Sequence, residues 1–277
     1  MVSISASRHS QNFLALLARQ PALLVQVEAS QGSVPREAGA WMAVFGNASV
    51  GTIGGGNLEF QAVAQARAML GSSLPRQPAV SRRFALGPAL GQCCGGVVDL
   101  CFEQVSASDV PALAERLRGG LTPVALFGGG HVGHALVQVL APLPFQVTWI
   151  DSRDAVFPES VPEGVVCEHS GPPQAAVAGL APGSRVLIMS FSHAEDLDVV
   201  TACLERQRTR ADLPYIGLIG SKTKWATFKR RLEARGFAPA ELAHITCPIG
   251  IPGIAGKEPE VIAVAVAAQL LQTPGDA

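Results

Sequence analysis

The sequence predicts an α/β protein in two parts: a smaller α+β N-terminal domain over residues 1–119, then a Rossmann-like, doubly wound parallel sheet over 120–277. Three observations carry this prediction. A strand, a glycine-rich turn, a helix, a second strand and an acid follow one another between residues 124 and 151. Strand and helix patterns keep alternating after that run, the pattern of a parallel sheet with helices on both faces. Ahead of it, Gly119-Gly120-Leu121-Thr122-Pro123 has the composition of a linker.

The run itself is built as a dinucleotide-binding βαβ unit requires. Apolar residues 124–127 break into Gly128-Gly129-Gly130-His131-Val132-Gly133, and apolar residues at helical spacing follow (Val132, Leu136, Val139, Leu140). After the Pro142 to Pro144 break, a strand over 145–150 ends at Asp151. Read as G-x-G-x-x-G, the glycines have separate tasks: Gly128 permits the tight turn, Gly130 lets a pyrophosphate approach the backbone, and Gly133 lets the helix lie close to the sheet. The helix start offers unpaired N–H groups and a partial positive charge to a phosphate. Asp151 stands where a carboxylate accepts from ribose hydroxyls, while Arg153 is placed to meet a 2′-phosphate. NAD and NADP are both left open.

Beyond residue 151, strands are expected over 165–168, 185–190 and 215–218, with helices over 174–180, 195–208, 222–235 and 260–272. Residues 190–193 and 217–222 then lie at strand ends facing the ligand crevice. In the first half, a helix over 11–19, a strand over 23–29 and a hairpin over 41–53 around Gly46-Asn47 lead into Gly54-Gly55-Gly56-Asn57. A helix with Leu58, Ala62, Ala66 and Met69 on one face follows, and Glu59 falls in its first turn, where a carboxylate suits the helix dipole. This second strand–glycine–helix junction lacks the Lys and Ser/Thr of a phosphate-binding loop of nucleoside triphosphatases. Strands over 79–86 and 97–103 bracket a segment containing Gly91-Gln92-Cys93-Cys94-Gly95-Gly96, and a helix over 108–118 closes the domain.

Composition narrows the function classes. Hydrophobic residues make up 48% of the 277 and charged residues 16%, a globular balance with no disordered arm. A net charge of −1 with 5% aromatic residues argues against a nucleic-acid partner or an anionic membrane surface. The apolar tract over 261–271 is too short to span a bilayer, the first residues lack an apolar signal segment, and six cysteines without regular spacing do not form a disulfide framework. A cytoplasmic protein with reduced thiols is expected.

Six stretches together resemble the XdhC/CoxI family, accessory proteins of xanthine dehydrogenases and related molybdenum hydroxylases. They are GSVPREAGAWMAV (32–44), GTIGGGNLE (51–59), GQCCGGVVDL (91–100), FGGGHVG (127–133), YIGLIGSKTKWATFKRRL (215–232) and CPIGIPGIAGKEPEVIAVAVAA (247–268). The resemblance covers almost the whole chain. It implies a carrier without turnover: a protein that binds the molybdenum cofactor (molybdopterin), protects it while a cysteine desulfurase supplies the terminal sulfur, and passes it to the apo-hydroxylase. It also implies a homodimer. Relatives often carry a His-rich stretch after the fourth strand of the nucleotide-like domain, where this chain has Phe191-Ser192 before a single His193.

On that reading the candidate cofactor-binding residues are Arg36, Gly54, Gly55, Gly56, Glu59, Cys94, Gly128, Gly130, Gly133, Asp151, Cys247 and Lys257. Cys94, ahead of Cys93, offers a thiolate as a soft contact for molybdenum or for a transferable sulfur, against the plainer reading of a small residue in a tight turn. Gly54 to Gly56 offer backbone N–H groups to a phosphate, against a plain hairpin-to-helix turn. Arg36 and Lys257 are anion partners or solvated surface cations; Cys247 opens a Gly/Pro-rich loop and Glu59 is equally a helix-start carboxylate. The competing readings are an NAD(P)-dependent oxidoreductase, which needs a general acid or base such as His193 or Lys222 beside the nicotinamide, and a dinucleotide-sensing module.

Overall fold

The computed structural model of the protein describes residues 8–71, 78–86, 96–118, 121–162 and 164–273. The chain divides into two compact units, His9–Leu117 and the chain from Arg118 onward.

The first unit is an antiparallel five-stranded sheet in the order β3-β2-β1-β5-β4. Its strands are β1 (Ala22–Gln31), β2 (Trp41–Val44), β3 (Ser49–Gly51), β4 (Val80–Ala85) and β5 (Val97–Val105). β1 takes the centre because its first residues are apolar on both faces, and it pairs with β2 on one side and β5 on the other. Leu23, Val25 and Val27 face α2 (Gly56–Leu70), which lays Leu58, Ala62 and Ala66 onto the sheet. Small residues at i+4 and i+8 let that helix lie close. Ala22 and Leu24 join the opposite core with Phe13 and Leu17 of α1 (Arg8–Leu17) and Leu113 of α3 (Val110–Arg118).

The second unit is a six-stranded, all-parallel sheet in the order β11-β10-β9-β6-β7-β8. Its strands are β6 (Thr122–Phe127), β7 (Phe145–Asp151), β8 (Val165–His169), β9 (Arg185–Ile188), β10 (Tyr215–Leu218) and β11 (Ile245–Thr246). The chain winds outward from β6 to β8, then returns to β9 beside β6 and winds out the other way. The strand order therefore reverses between β6 and β9, the switch point where open α/β sheets bind ligands. Val124, Leu126, Val147 and Trp149 pack with α4 (His131–Leu140) and α8 (Pro259–Gln272) on one face. Ala125, Phe127, Val186 and Ile188 pack with α5 (His193–Arg210) and α6 (Lys222–Ala234) on the other.

Several element boundaries depart from the sequence expectation. The helix expected over 174–180 is a 3-10 segment, Pro173–Gly179; a proline at its start and a run of small residues give it no broad apolar stripe to lay on the sheet. The expected strand over 185–190 ends at Ile188. α5 begins at His193, two residues earlier than expected, because Ser192 caps it by accepting from the Glu195 amide at 3.2 Å. The short helix α7 (Pro239–Leu242) and the two-residue strand β11 were not expected. No helix among the described residues is long and apolar enough to cross a membrane.

Candidate functional site

In the second unit the glycine turn between β6 and α4 has geometric reasons for most of its glycines. Gly128 adopts φ 121°, and a Cβ there would lie 2.0 Å from the Met189 carbonyl oxygen on the adjoining chain. A Cβ on Gly133 would lie 2.1 Å from the Gly128 oxygen, so the helix start and the strand end are packed backbone to backbone. Trp149 Nε1 donates to that same oxygen at 3.0 Å and locks the turn. Gly129 is crowded by Val156, whose Cγ2 is 2.5 Å from a notional Cβ. Gly130 differs. It caps α4 with an ordinary φ of −80°, and a Cβ on it would meet nothing within 4 Å. Nothing among the described residues requires glycine there, and a side chain at that position would enter open space.

Asp151 ends β7 beside this turn, with its side chain buried. Its Oδ2 accepts from the Gly129 amide at 2.6 Å and from Arg153 Nη2 at 2.9 Å. Its Oδ1 accepts from the Arg153 amide and Arg153 Nε, both at 2.9 Å. Burial alone would raise this carboxyl, but the Arg153 side chain and the two amides together hold it below the ordinary carboxylate range. The Arg153 guanidinium also lies 4.7 Å from the ring centre of Phe191, an exposed aromatic just after β9.

At the ends of β9 and β10 a buried ion pair appears that sequence reading missed. Lys224 Nζ donates to Asp196 Oδ2 at 2.6 Å and to the Ile219 carbonyl at 2.8 Å, and Asp196 Oδ1 accepts from the Ser190 amide at 2.7 Å. The side chains are 11% and 3% exposed. Asp196 lies in the first turn of α5 and Lys224 in that of α6, 28 residues apart. Only the parallel pairing of β9 with β10 brings these helix starts together. Cys247, half-buried directly after β11, has its thiol pushed up by burial, with the nearby Lys224 ammonium opposing and the Asp196 carboxylate reinforcing the shift. Gln269 Oε1 of α8 ties down the following loop by accepting from Tyr215 Oη and the Gly250 amide, both at 2.7 Å. Lys257, near the end of that loop, is exposed, and its amide donates to Glu258 Oε2 at 2.9 Å. His193 is exposed and packs edge-on to Phe228.

In the first unit the second glycine turn forms its own cluster. Gly54, Gly55 and Gly56 have φ of 119°, 74° and 64°, a left-handed run that favours glycine at each position. Glu59 Oε2 reaches back to accept from Thr52 Oγ1 at 2.5 Å, Ile53 N at 3.1 Å and Gly55 N at 3.0 Å. The loop carrying Arg36 lies against the turn: a Cβ on Gly54 would be 2.5 Å from Pro35 and 3.3 Å from Arg36 Cγ. The same loop meets Gly96, where a Cβ would lie 2.5 Å from the Ser33 oxygen and 2.6 Å from the Gln31 oxygen. Cys94 and Cys93 lie outside the described residues. The loop over 31–36 thus touches both the glycine turn and the residue that ends the Cys-Cys-Gly-Gly segment.

The structure therefore groups Gly128, Gly130, Gly133 and Asp151 in one unit, and Arg36, Gly54, Gly55, Gly56 and Glu59 in the other. Cys247 belongs instead with Lys224 and Asp196. Among the described residues no group of three His, Cys, Asp or Glu side chains is arranged to hold a metal ion.

Comparison with known proteins adds to this geometry. Residues 124–270 match the model of the XdhC Rossmann domain, and residues 15–82 match that of the XdhC and CoxI family. The chain is 29% identical over 262 residues to an uncharacterized protein, YqeB, of Escherichia coli (strain K12). That match covers 93% of this chain and 44% of YqeB, so the chain spans less than half the length of that relative. A crystal structure of a Bacillus halodurans protein described as a xanthine dehydrogenase superposes with a TM-score of 0.75 at 21% identity, covering 95% of each chain. That likeness shows a shared fold across both units.

Proposed function

The chain belongs to the XdhC and CoxI family, and from that premise we propose that it is a maturation factor for xanthine dehydrogenase or a related molybdenum hydroxylase. In this reading it binds the molybdenum cofactor, shelters it while a cysteine desulfurase supplies the terminal sulfur, and delivers it to the apo-enzyme, working in the cytoplasm as a homodimer. The observation that carries the reading is the loop over 31–36. It packs against both the left-handed glycine turn at the start of α2, at Gly54, and Gly96, the last residue of the Cys-Cys-Gly-Gly segment, which supports reading the two stretches as parts of one binding region.

The residues fit such a ligand in one further respect. A Cβ on Gly55 or on Gly130 would meet nothing within 4 Å, so each turn keeps open space at the N-terminus of a helix. In the first unit Arg36 supplies a charge-assisted contact to a phosphate and the side-chain-free glycine turn allows close approach, while the Gly54 amide, which donates to Thr52 Oγ1 at 3.0 Å, and the Gly55 amide, which donates to Glu59 Oε2 at 3.0 Å, serve the shape of the turn. Glu59 does not face the phosphate in this scheme; its carboxylate holds the turn in shape. Cys94 presents sulfur to the metal end of the cofactor. Within the second unit, Gly128, Gly130 and Gly133 form a phosphate-facing turn in this reading, and Cys247 and Lys257 are further candidate contacts there. Bound cofactor supplies the molybdenum–sulfur chemistry that the client enzyme uses; the chain contributes binding, orientation and exclusion of water.

The test is retention. Purified protein mixed anaerobically with molybdenum cofactor released from a donor enzyme should carry about one equivalent through gel filtration, and Cys94→Ala should carry several-fold less. Loss of all retention in the wild-type chain would sink the proposal, while equal retention in Cys94→Ala would keep the carrier role and remove the cysteine from it.

A further inference from the structure

The carboxylate that would read the ribose of a dinucleotide is already full. A carboxylate offers about four lone-pair positions, and Asp151 uses them on Gly129 N, Arg153 N, Arg153 Nε and Arg153 Nη2, at 2.6 to 2.9 Å. Its side chain is only 2% exposed. Two of these bonds form a bidentate guanidinium–carboxylate fork, the strong and geometrically demanding kind. We infer that Arg153 is the residue that decides what the glycine turn of the second unit accepts: by filling Asp151 it makes the turn refuse NAD(H), whose ribose hydroxyls would need that carboxylate.

A phosphate on the same ribose gains nothing from the arrangement. Arg153 keeps three N–H groups beyond the two bound to Asp151, but its charge is already balanced, and further carboxylates flank it. Glu195 accepts from Ser152 Oγ at 2.7 Å and acts on the Arg153 charge. Asp154 pairs with His169 at 2.9 Å, and His169 Nε2 also lies 3.0 Å from the Ser152 oxygen. Counting Asp151, Asp154 and Glu195 against Arg153 and His169, no excess positive charge remains to attract a 2′-phosphate. NADP(H) is refused as well. The space before Gly130 at the start of α4 stays open, so the refusal comes from Asp151 and its charged neighbours and not from a blocked turn. This inference does not depend on the carrier role, and its test does not involve the molybdenum cofactor.

The test is titration of NADH and NADPH, followed by nucleotide fluorescence, into the wild-type chain, Arg153→Ala and Arg153→Lys, each confirmed to be folded by a cooperative thermal transition above the assay temperature. Wild type should show no saturable binding of either nucleotide in the micromolar range. Arg153→Ala frees acceptor positions on Asp151 and should gain NADH affinity by about tenfold or more, the worth of a hydrogen bond to a charged group, with no gain for NADPH. Arg153→Lys, which keeps the charge but loses the fork, should gain less. It carries the test alone if the alanine variant fails to fold. Micromolar NADH binding by wild type, or a folded Arg153→Ala or Arg153→Lys with no gain, would overturn the inference. So would tight NADPH binding that disappears in Arg153→Ala, since the guanidinium would then be reading a phosphate.

Discussion

Gly128→Ala should remove about 2–6 kcal/mol of stability, a large share of the roughly 5–15 kcal/mol that holds an ordinary protein folded. Two costs add. The residue sits at φ 121°, where a side chain is strained by about 1–3 kcal/mol. The new methyl would also lie 2.0 Å from the Met189 carbonyl oxygen and 2.6 Å from its carbon. Both are backbone atoms, and Met189 is held in place by its own amide, which donates to the Phe127 oxygen at 2.8 Å. Relief therefore means parting the chain that leaves β9 from β6, at the switch point of the sheet, and overpacking of this kind costs about 1–3 kcal/mol more. Gly130→Ala is the companion, with an ordinary φ and open space, and it should leave stability within about 0.5 kcal/mol of wild type. Urea denaturation followed by circular dichroism distinguishes them. Equal midpoints for Gly128→Ala and wild type would show that the turn is not packed as described.

Lys224→Met should have the next largest effect, a loss of about 3–5 kcal/mol, because it leaves the Asp196 carboxylate buried without its counter-ion. The pair is poor evidence for stability as such: two apolar residues of similar volume often serve a fold equally well. Lys224→Met/Asp196→Leu should therefore recover a large part of the loss. Recovery stops short of complete because the Ser190 amide loses its acceptor, at a cost of about 1–3 kcal/mol. Denaturant midpoints of the single and double variants measure this directly. A double variant no more stable than Lys224→Met would mean that the damage comes from something other than an unpaired charge.

The second unit was legible in the sequence because its signals are local. The turn at Gly128, the helix apolar at Leu136 and Leu140, and Asp151 at a strand end all follow from spacing alone, and the alternation that follows implies a parallel sheet. The length and small residues of the 3-10 segment at Pro173 suit a helix, and its packing against α5 is a tertiary fact. β11 has only two residues, too few for any periodicity. For the site, local signals put Gly54 to Gly56 beside Glu59, but gave no hint that Glu59 turns back to hold them. Arg153 was visible two residues after Asp151, yet the sequence could not say whether it would serve a ligand or its neighbour. The pairing of Asp196 with Lys224 lay beyond reach, because nothing local links the first turns of two successive helices.

Delivery is the measurement that bears most directly on the central claim. Protein loaded with sulfurated molybdenum cofactor would be mixed anaerobically with an apo-xanthine dehydrogenase, and hydroxylase activity followed against an equal amount of free cofactor. The carrier reading predicts activation that approaches one client active site per loaded protein and exceeds that from free cofactor, with the cofactor leaving the carrier as activity appears. Activation no better than with free cofactor, or cofactor that stays on the protein while the client remains inactive, would contradict it.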